Sequence, residues 1–355
     1  MRSMTTMAIV FGFCACGGGS GAGGPNISTP APQPASFAPG PAARPTTGVA
    51  LPLGKCVNLA NMLEAPTEGA WGRAFEDADA TRIRQAGFAT VRLPVRFSAH
   101  ALAVSPYTID AAFMARVHHV LDTNLAAGLN VILDLHHYEE LFTDPTSNSA
   151  RFAELWRQVA AEFRSAPSNV WFELINEPHD RLNDSNLMAV LTPALAAVRS
   201  TNTTRPVVIG GQNWSGIDAL ATVTFPNDPN IVSTFHYYDP FDFTHQGAPW
   251  VTPVMPTGRQ FGTAADNAQL NAALQKVTNF MNRTGRVPFL GEYGAYEQVP
   301  TEQRISYYRA ISSAFASIGI QSCAWGYTNT FNLWRDGTGW EQQLLAAIAT
   351  TTTVQ

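Results

Sequence analysis

Eight short apolar runs punctuate the chain, near Gly54 to Leu59, Ala89 to Pro94, Asn130 to His137, Asn169 to Asn176, Pro206 to Asn213, Ile231 to Tyr238, Val287 to Glu292 and Ile320 to Tyr327. They are rich in branched and aromatic residues and bounded by turn formers, the pattern of strands buried on both faces. The stretches between them switch to a helical period. Asp110 to Gly128 opens on a capping acid, keeps apolar residues three and four apart and stops at glycine. Ala150 to Arg164, Leu187 to Arg199, Ala265 to Arg283 and Glu302 to Ile318 behave alike. Strand and helix in alternation predict a parallel sheet covered by helices. An open doubly wound sheet satisfies the alternation equally well. Polar residues, however, gather after nearly every run, as eight loops building one site at the C-terminal face of a barrel require; this favours a closed (β/α)8 TIM barrel.

Two of those strand ends carry acids. The run from Asn169 closes on Ile175-Asn176-Glu177-Pro178, where the proline stops pairing and delivers Glu177 to a loop edge. Arg286 to Gly294 closes on Glu292 between glycines. Two carboxyls at two strand ends are the minimum equipment for cleaving a glycosidic bond, one protonated to expel the leaving oxygen and one ionised to attack or to activate water. Glu173 competes with Glu177 for the acid role, but at ~3.3 Å per residue it lies ~13 Å deeper in the barrel. Arg92 stands inside an apolar strand, where a guanidinium needs an anionic partner; Glu173 and Glu292 are the rivals. His136 and His137, beside Glu139 and Glu140, bring metal ligation to mind, but strand neighbours point to opposite faces and a spaced third ligand is missing, so no metal and no cofactor are expected. Trp214 ends the fifth run and offers an indole face for a sugar, or an ordinary rim aromatic.

Taken in order, Arg92, His136, Asn176-Glu177, His236-x-Tyr238, Glu292 and Trp325 fall at the ends of different inferred strands, and the set resembles glycoside hydrolase family 5, the cellulase-type retaining enzymes, from Leu51 to about Ala349. That resemblance implies double displacement with Glu292 as nucleophile and Glu177 as acid/base. It implies that Arg92 holds the nucleophile ionised, that Asn176 binds the sugar 2-hydroxyl, and that Tyr238 donates to the nucleophile. His236 would belong to the network around the acids, His136 and His137 to the sugar subsite, and Trp325 to its floor. The segment from Asn58 to Pro66 and the His-His-Tyr segment resemble the glucanase members, so a β-linked glucan is the expected substrate and Asn58 a supporting residue. Mannan or mixed-linkage glucan on the same scaffold is the runner-up, and a non-catalytic carbohydrate-binding protein the alternative of another class.

The chain of 355 residues is only 14% charged and 45% apolar, enough for one large barrel core, and a net charge of -5 predicts no nucleic-acid affinity. Residues Met1 to Cys16 resemble a short secretory signal ending in a bacterial lipoprotein cleavage site with Cys16 lipidated. Gly17 to Ala50 is Gly, Ala, Pro, Ser and Thr with almost no charge, which predicts a disordered linker. The catalytic domain is then 51–355, expected to act as a monomer that is secreted or anchored to an outer membrane. Cys56 and Cys323 fall in the first and last inferred strands, neighbours in a closed barrel, so a disulfide and buried free thiols are both open.

Overall fold

The computed structural model describes residues 32–352. Eight parallel strands pair in chain order, β1 (Cys56–Asn58), β2 (Thr90–Val95), β3 (Asn130–Leu135), β4 (Val170–Glu173), β5 (Val207–Ile209), β6 (Ile231–His236), β7 (Pro288–Tyr293) and β8 (Ser322–Ala324), and β1 pairs with β8 to close the barrel. The open-sheet alternative is thereby excluded. Helices cover the outside in most crossovers, among them Asp77–Gln85, Ala111–Ala126, Pro145–Glu162, Leu187–Arg199, Ala264–Thr284 and Thr301–Ser317. Between β5 and β6 the covering element shrinks to the 3₁₀ turn Ile217–Ala221. Local sequence explains the helix limits: Asp110 accepts from the Phe113 amide, and Thr263 and Asp266 form a reciprocal capping box. Gly285 ends the longest helix at φ 68°, a left-handed cap that costs glycine nothing. The helices Asp77–Gln85 and Gln342–Ala347, and a small ribbon of Trp334–Arg335 with Gly339–Trp340, were not among the expected elements.

Alternation along each strand sorts the side chains. The outward residues, such as Val91, Leu93, Val131, Leu133, Val170 and Phe172, pack into one large core beneath the helices. The inward ones form a separate apolar plug at the barrel floor, built from Cys56, Ile132, Trp171, Val208, Val232, Phe289 and Cys323 with Leu51 and Leu53. Two residues further up, the inward layer turns polar, with Asn58, Asp134, Glu173 and Thr234 all buried. Cys56 and Cys323, partners in the β1–β8 register with Cα atoms 4.3 Å apart, are joined as a disulfide across the seam of the barrel.

Two expectations need correction. The strands end earlier than the apolar runs do, at Leu135, Glu173, Ile209 and Ala324, although the amides of His136, Asn176 and Tyr327 still donate to the neighbouring strands' Val95, Leu135 and Asn58 carbonyls. The disordered linker expected up to Ala50 does not describe residues 32–50. The Gly40 amide donates to Ala316 O (2.9 Å), Ala43 to Gly319 O (2.9 Å), and Thr46 and Thr47 to Gly285 O (2.8 and 3.0 Å). Asn267 holds both the Ala35 amide and the Gln33 carbonyl, and Pro41 bridges to Thr352. This segment has too little apolar surface to fold alone. From Gly40 on, its backbone donors nonetheless find the carbonyls that helices leave without partners at their C-termini, and this part runs as a strap under the barrel floor, while residues 33–35 lie along the first turn of the longest helix. Cys16 and the leader lie outside the described residues. Among the described residues no helix is long and apolar enough to cross a membrane.

Candidate active site

The mouth of the barrel is organised around one buried guanidinium. Arg92, on β2, reaches Glu173 on β4 with Nε and Nη2 (2.7 and 2.9 Å) and Glu292 on β7 with Nη1 (2.7 Å). It also donates to Asn58 Oδ1 (2.9 Å) and Asn176 Oδ1 (2.8 Å), and Nη2 stands 3.0 Å from Asp134 Oδ2. The two rival partners of Arg92 are therefore both partners, one on each edge of the fork. Burial alone would pull its proton off, but Asp134, Glu173 and Glu292 outweigh that and hold the charge more firmly than usual. Asn58 is a strut and not a sugar contact: its Nδ2 donates to the carbonyls of Gly291 and Ala324, tying β1 to β7 and β8.

The same fork fixes the neighbours. Because Arg92 takes Asn176 Oδ1, the amide nitrogen of Asn176 is turned toward His136 Nε2 (3.3 Å). His136 Nδ1 in turn faces Asp134 Oδ2 (2.6 Å). Burial, then Arg92, push His136 well below its usual range, so the ring is neutral, with Nδ1 donating and Nε2 accepting. His136 stacks at 5.5 Å on Trp325, and His137 stands edge-on to both His136 and Trp71. Asp134 itself is raised to about 7, chiefly by burial, and its Oδ1 has no partner among the described residues.

Glu292 ends the inward row of β7, opposite His236 where the β6–β7 register shifts. It accepts from Arg92 on Oε1 and from the Tyr238 hydroxyl on Oε2 (2.9 Å). Glu177 stands past the end of β4 at φ 49°, a left-handed conformation that aims its side chain back over the barrel. Its Oε1 lies 2.8 Å from His236 Nδ1, which is also 3.6 Å from Glu292 Oε2. One ligand atom each of Glu177, His236 and Glu292 lies within 4.8 Å of the others. Such a group has the donors for a small divalent ion, though an ion there would compete with Arg92 and Tyr238 for Glu292.

Both acids are pushed up by burial, each to about 7, with His179 and Arg92 opposing the rise at Glu177 and His236 and Arg92 opposing it at Glu292. Their surroundings separate them. Glu292 is held by a guanidinium and a phenol, donors that favour its ionised form, whereas Glu177 faces His236, which burial lowers against the pull of Glu292. The proton of the pair belongs on Glu177. Its side chain keeps 23% exposure, so water moderates the rise until something covers the cleft.

All of the expected strand-end residues except His137 and Trp214 join this one network. His137 is a flank, and Trp214 sits on the β5 loop stacked 5.0 Å on His179. Reading the sequence singled out neither His179 nor Asp134 nor Glu64. Asp134 stands two residues before His136 on the same inward face, a signal that alternation alone supplies. Glu64 is a buried carboxyl raised to about 8 by burial, against the amides of Asn61 and Met62 that donate to it.

Comparison with known proteins follows the same lines. Residues 54–330 match the family Cellulase (glycosyl hydrolase family 5). Endoglucanase H of Acetivibrio thermocellus is 33% identical over 273 residues, covering 77% of this chain and 29% of that protein. Cellulase/esterase CelE of the same organism is 29% identical over 297 residues, 77% of this chain and 35% of its own length. This chain thus spans about a third of the length of those relatives. The structure of Thermotoga maritima Cel5A in complex with mannotriose superimposes with a TM-score of 0.81 at 35% identity, over 84% of this chain and 97% of that one.

Proposed function

The chain belongs to glycosyl hydrolase family 5, and from that premise we propose that it is a retaining endo-β-1,4-glucanase in which Glu292 is the nucleophile and Glu177 the acid/base. The observation that carries this reading is the approach of the two acids within 4.8 Å, with only one of them bound to a cation. Inverting enzymes keep their carboxyls about 6.5–9.5 Å apart to admit a water, and retaining ones about 5–5.5 Å. In the first half-reaction a Glu292 oxygen bonds to C1 as the C1–O bond breaks. The bonding pair stays with the leaving oxygen, which takes the proton of Glu177. In the second, Glu177 removes a proton from water as that water's oxygen displaces Glu292 from C1, and configuration is retained. Asn176 meets the 2-hydroxyl and Trp325 carries the sugar face. Forming the glycosyl ester removes the Glu292 charge, which lowers Glu177 and readies it as a base.

Product anomers read by NMR during hydrolysis of cellotetraose test the stereochemistry; an initial α-anomer would overturn the reading. Glu177→Gln and Glu292→Gln should each lose most hydrolysis of unactivated polysaccharide. A β-mannanase is the second reading, supported by the likeness to Thermotoga maritima Cel5A in its complex with mannotriose, and parallel product analysis on carboxymethylcellulose, glucomannan and barley glucan separates the two. We further infer export, which the Cys56–Cys323 disulfide supports because such bonds persist in oxidising compartments. Action as a monomer, and lipidation of Cys16 with anchoring to an outer membrane, belong to the same proposal.

A further inference from the structure

Glu177 is held in its left-handed turn by contacts that do not touch its carboxyl. The carbonyl of Glu177 accepts from His179 Nδ1 (2.6 Å), and the carbonyl of Pro178 accepts from the Trp214 amide (3.0 Å). Those donors are themselves one unit. The His179 ring lies face to face on the Trp214 indole at 5.0 Å and 11°, and Phe142 packs on it tilted by 39° at 4.1 Å. Trp214 belongs to a run of three non-glycine residues with positive φ, Asn213 at 52°, Trp214 at 57° and Ser215 at 52°. A backbone that adopts so many costly conformations in a row persists only where its surroundings over-determine it. Here the Gln212 side chain reaches across to the Asp184 amide (3.0 Å) and Gly210 packs against Ser215, so the β4 and β5 loops brace each other.

The position of this brace gives it a chemical meaning. Arg92 on β2 holds Glu292, and His136 and Trp325, just past β3 and β8, stack on each other beside Asn176; this is the side on which the glycosyl unit stays covalently bound. Trp214 follows β5, on the other flank of Glu177, where the departing sugar must lie. We propose that His179 is a positioning residue of the general acid: it transmits the seating of the leaving sugar on Trp214 into the orientation of the Glu177 carboxyl. The inference rests on Glu177 being the acid/base. A sugar pressed on the indole fixes the His179 stack, the Nδ1 donor fixes the Glu177 carbonyl, and the carboxyl above it is aimed at the glycosidic oxygen. Protonation is then efficient only when the leaving-group side is filled.

Two substitutions take the two halves of His179 apart. His179→Phe keeps a flat ring against Phe142 and Trp214 but deletes the donor, whereas His179→Asn retains a donor near the place of Nδ1 and deletes the ring. The readout is kcat/KM, which reports the bond-breaking half-reaction alone, on cellotetraose and on 2,4-dinitrophenyl β-cellobioside, whose leaving group needs no proton. His179→Phe should lose about 10- to 100-fold on cellotetraose, as misplacement of a catalytic group does, and less than about threefold on the dinitrophenyl substrate. His179→Asn should recover part of the loss. Equal loss on both substrates, or no loss on either, overturns the proposal. Glu177→Gln is measured alongside: if it shows the leaving-group discrimination and His179→Phe does not, the positioning role alone falls, and if neither does, the acid/base assignment falls and takes the positioning role with it.

Discussion

Tyr238→Phe removes one oxygen, and the geometry says what that oxygen does. The hydroxyl donates to Glu292 Oε2 at 2.9 Å in a site where Glu292 is buried and Tyr238 half-buried, while the ring packs on Phe331 and His245 and stays in place in the variant. A hydrogen bond to a charged group is worth about 1.5–3 kcal/mol. The ionised carboxylate accepts it more strongly than the neutral acid does, so its loss penalises the ionised form and raises the nucleophile by at most about 1–2 pH units at 1.36 kcal/mol per unit. Arg92 remains on the other oxygen and limits the shift. The acidic limb of the kcat/KM profile on a soluble aryl cellobioside should accordingly move up, by at most about 1–2 units, with Tm little changed. An acidic limb that stays where it was would refute the claim that this phenol keeps Glu292 ionised, whatever happens to the maximal rate.

Replacing Cys56 and Cys323 together by alanine opens a loop of 267 residues, for which loop-entropy arguments give a ceiling of ~5 kcal/mol and measured bridges usually about 2–4. At about 2–4 °C per kcal/mol the expected fall in Tm is roughly 5–15 °C, read by calorimetry with activity retained at 25 °C. Amides of Gly40, Ala43, Thr46 and Thr47 should be protected in hydrogen exchange, and deletion through Ala50 should lower Tm while leaving kcat unchanged; rapid exchange at all four would dismiss the strap. Burial raises Glu64 to about 8 and Asp134 to about 7, so the folded chain keeps protons that the unfolded chain has released. Stability is then fullest below the ordinary carboxyl range and falls as pH rises through 7–8, and Glu64→Gln should flatten the upper part of that decline in denaturation curves taken from pH 5 to 8.

The barrel was legible because strands buried on both faces are written as unbroken apolar runs, and each of the eight fell where the chain placed one. Their ends were not, since the apolar runs pass Glu173 and Ala324 without a break in the pattern and the amides of Asn176 and Tyr327 still donate to the neighbouring strands. Glu177 could be preferred to Glu173 from rise per residue alone, yet the same argument called Glu173 remote, and it shares a guanidinium with Glu292 one layer below. Depth along a strand says nothing about how far a long arginine reaches. Composition misjudged residues 32–50 for a related reason: it measures what a segment can bury by itself and is blind to carbonyls offered by helix ends elsewhere. His179 escaped notice because its work is done through a backbone carbonyl, which no pattern of residue types records.

Pro41 and Thr352 lie side by side beneath the barrel, so the described C-terminal end leaves from the closed end, away from the cleft, whereas the residues before Pro41 climb along the outside to Asn267, in the first turn of the longest helix. A tag, a tether or a second module fused after Thr352 would hang behind the enzyme and leave the approach of a polymer unobstructed. The juxtaposition also suits circular permutation: a short linker could join Thr352 to Pro41, and new termini could be cut into a surface loop without disturbing the acids.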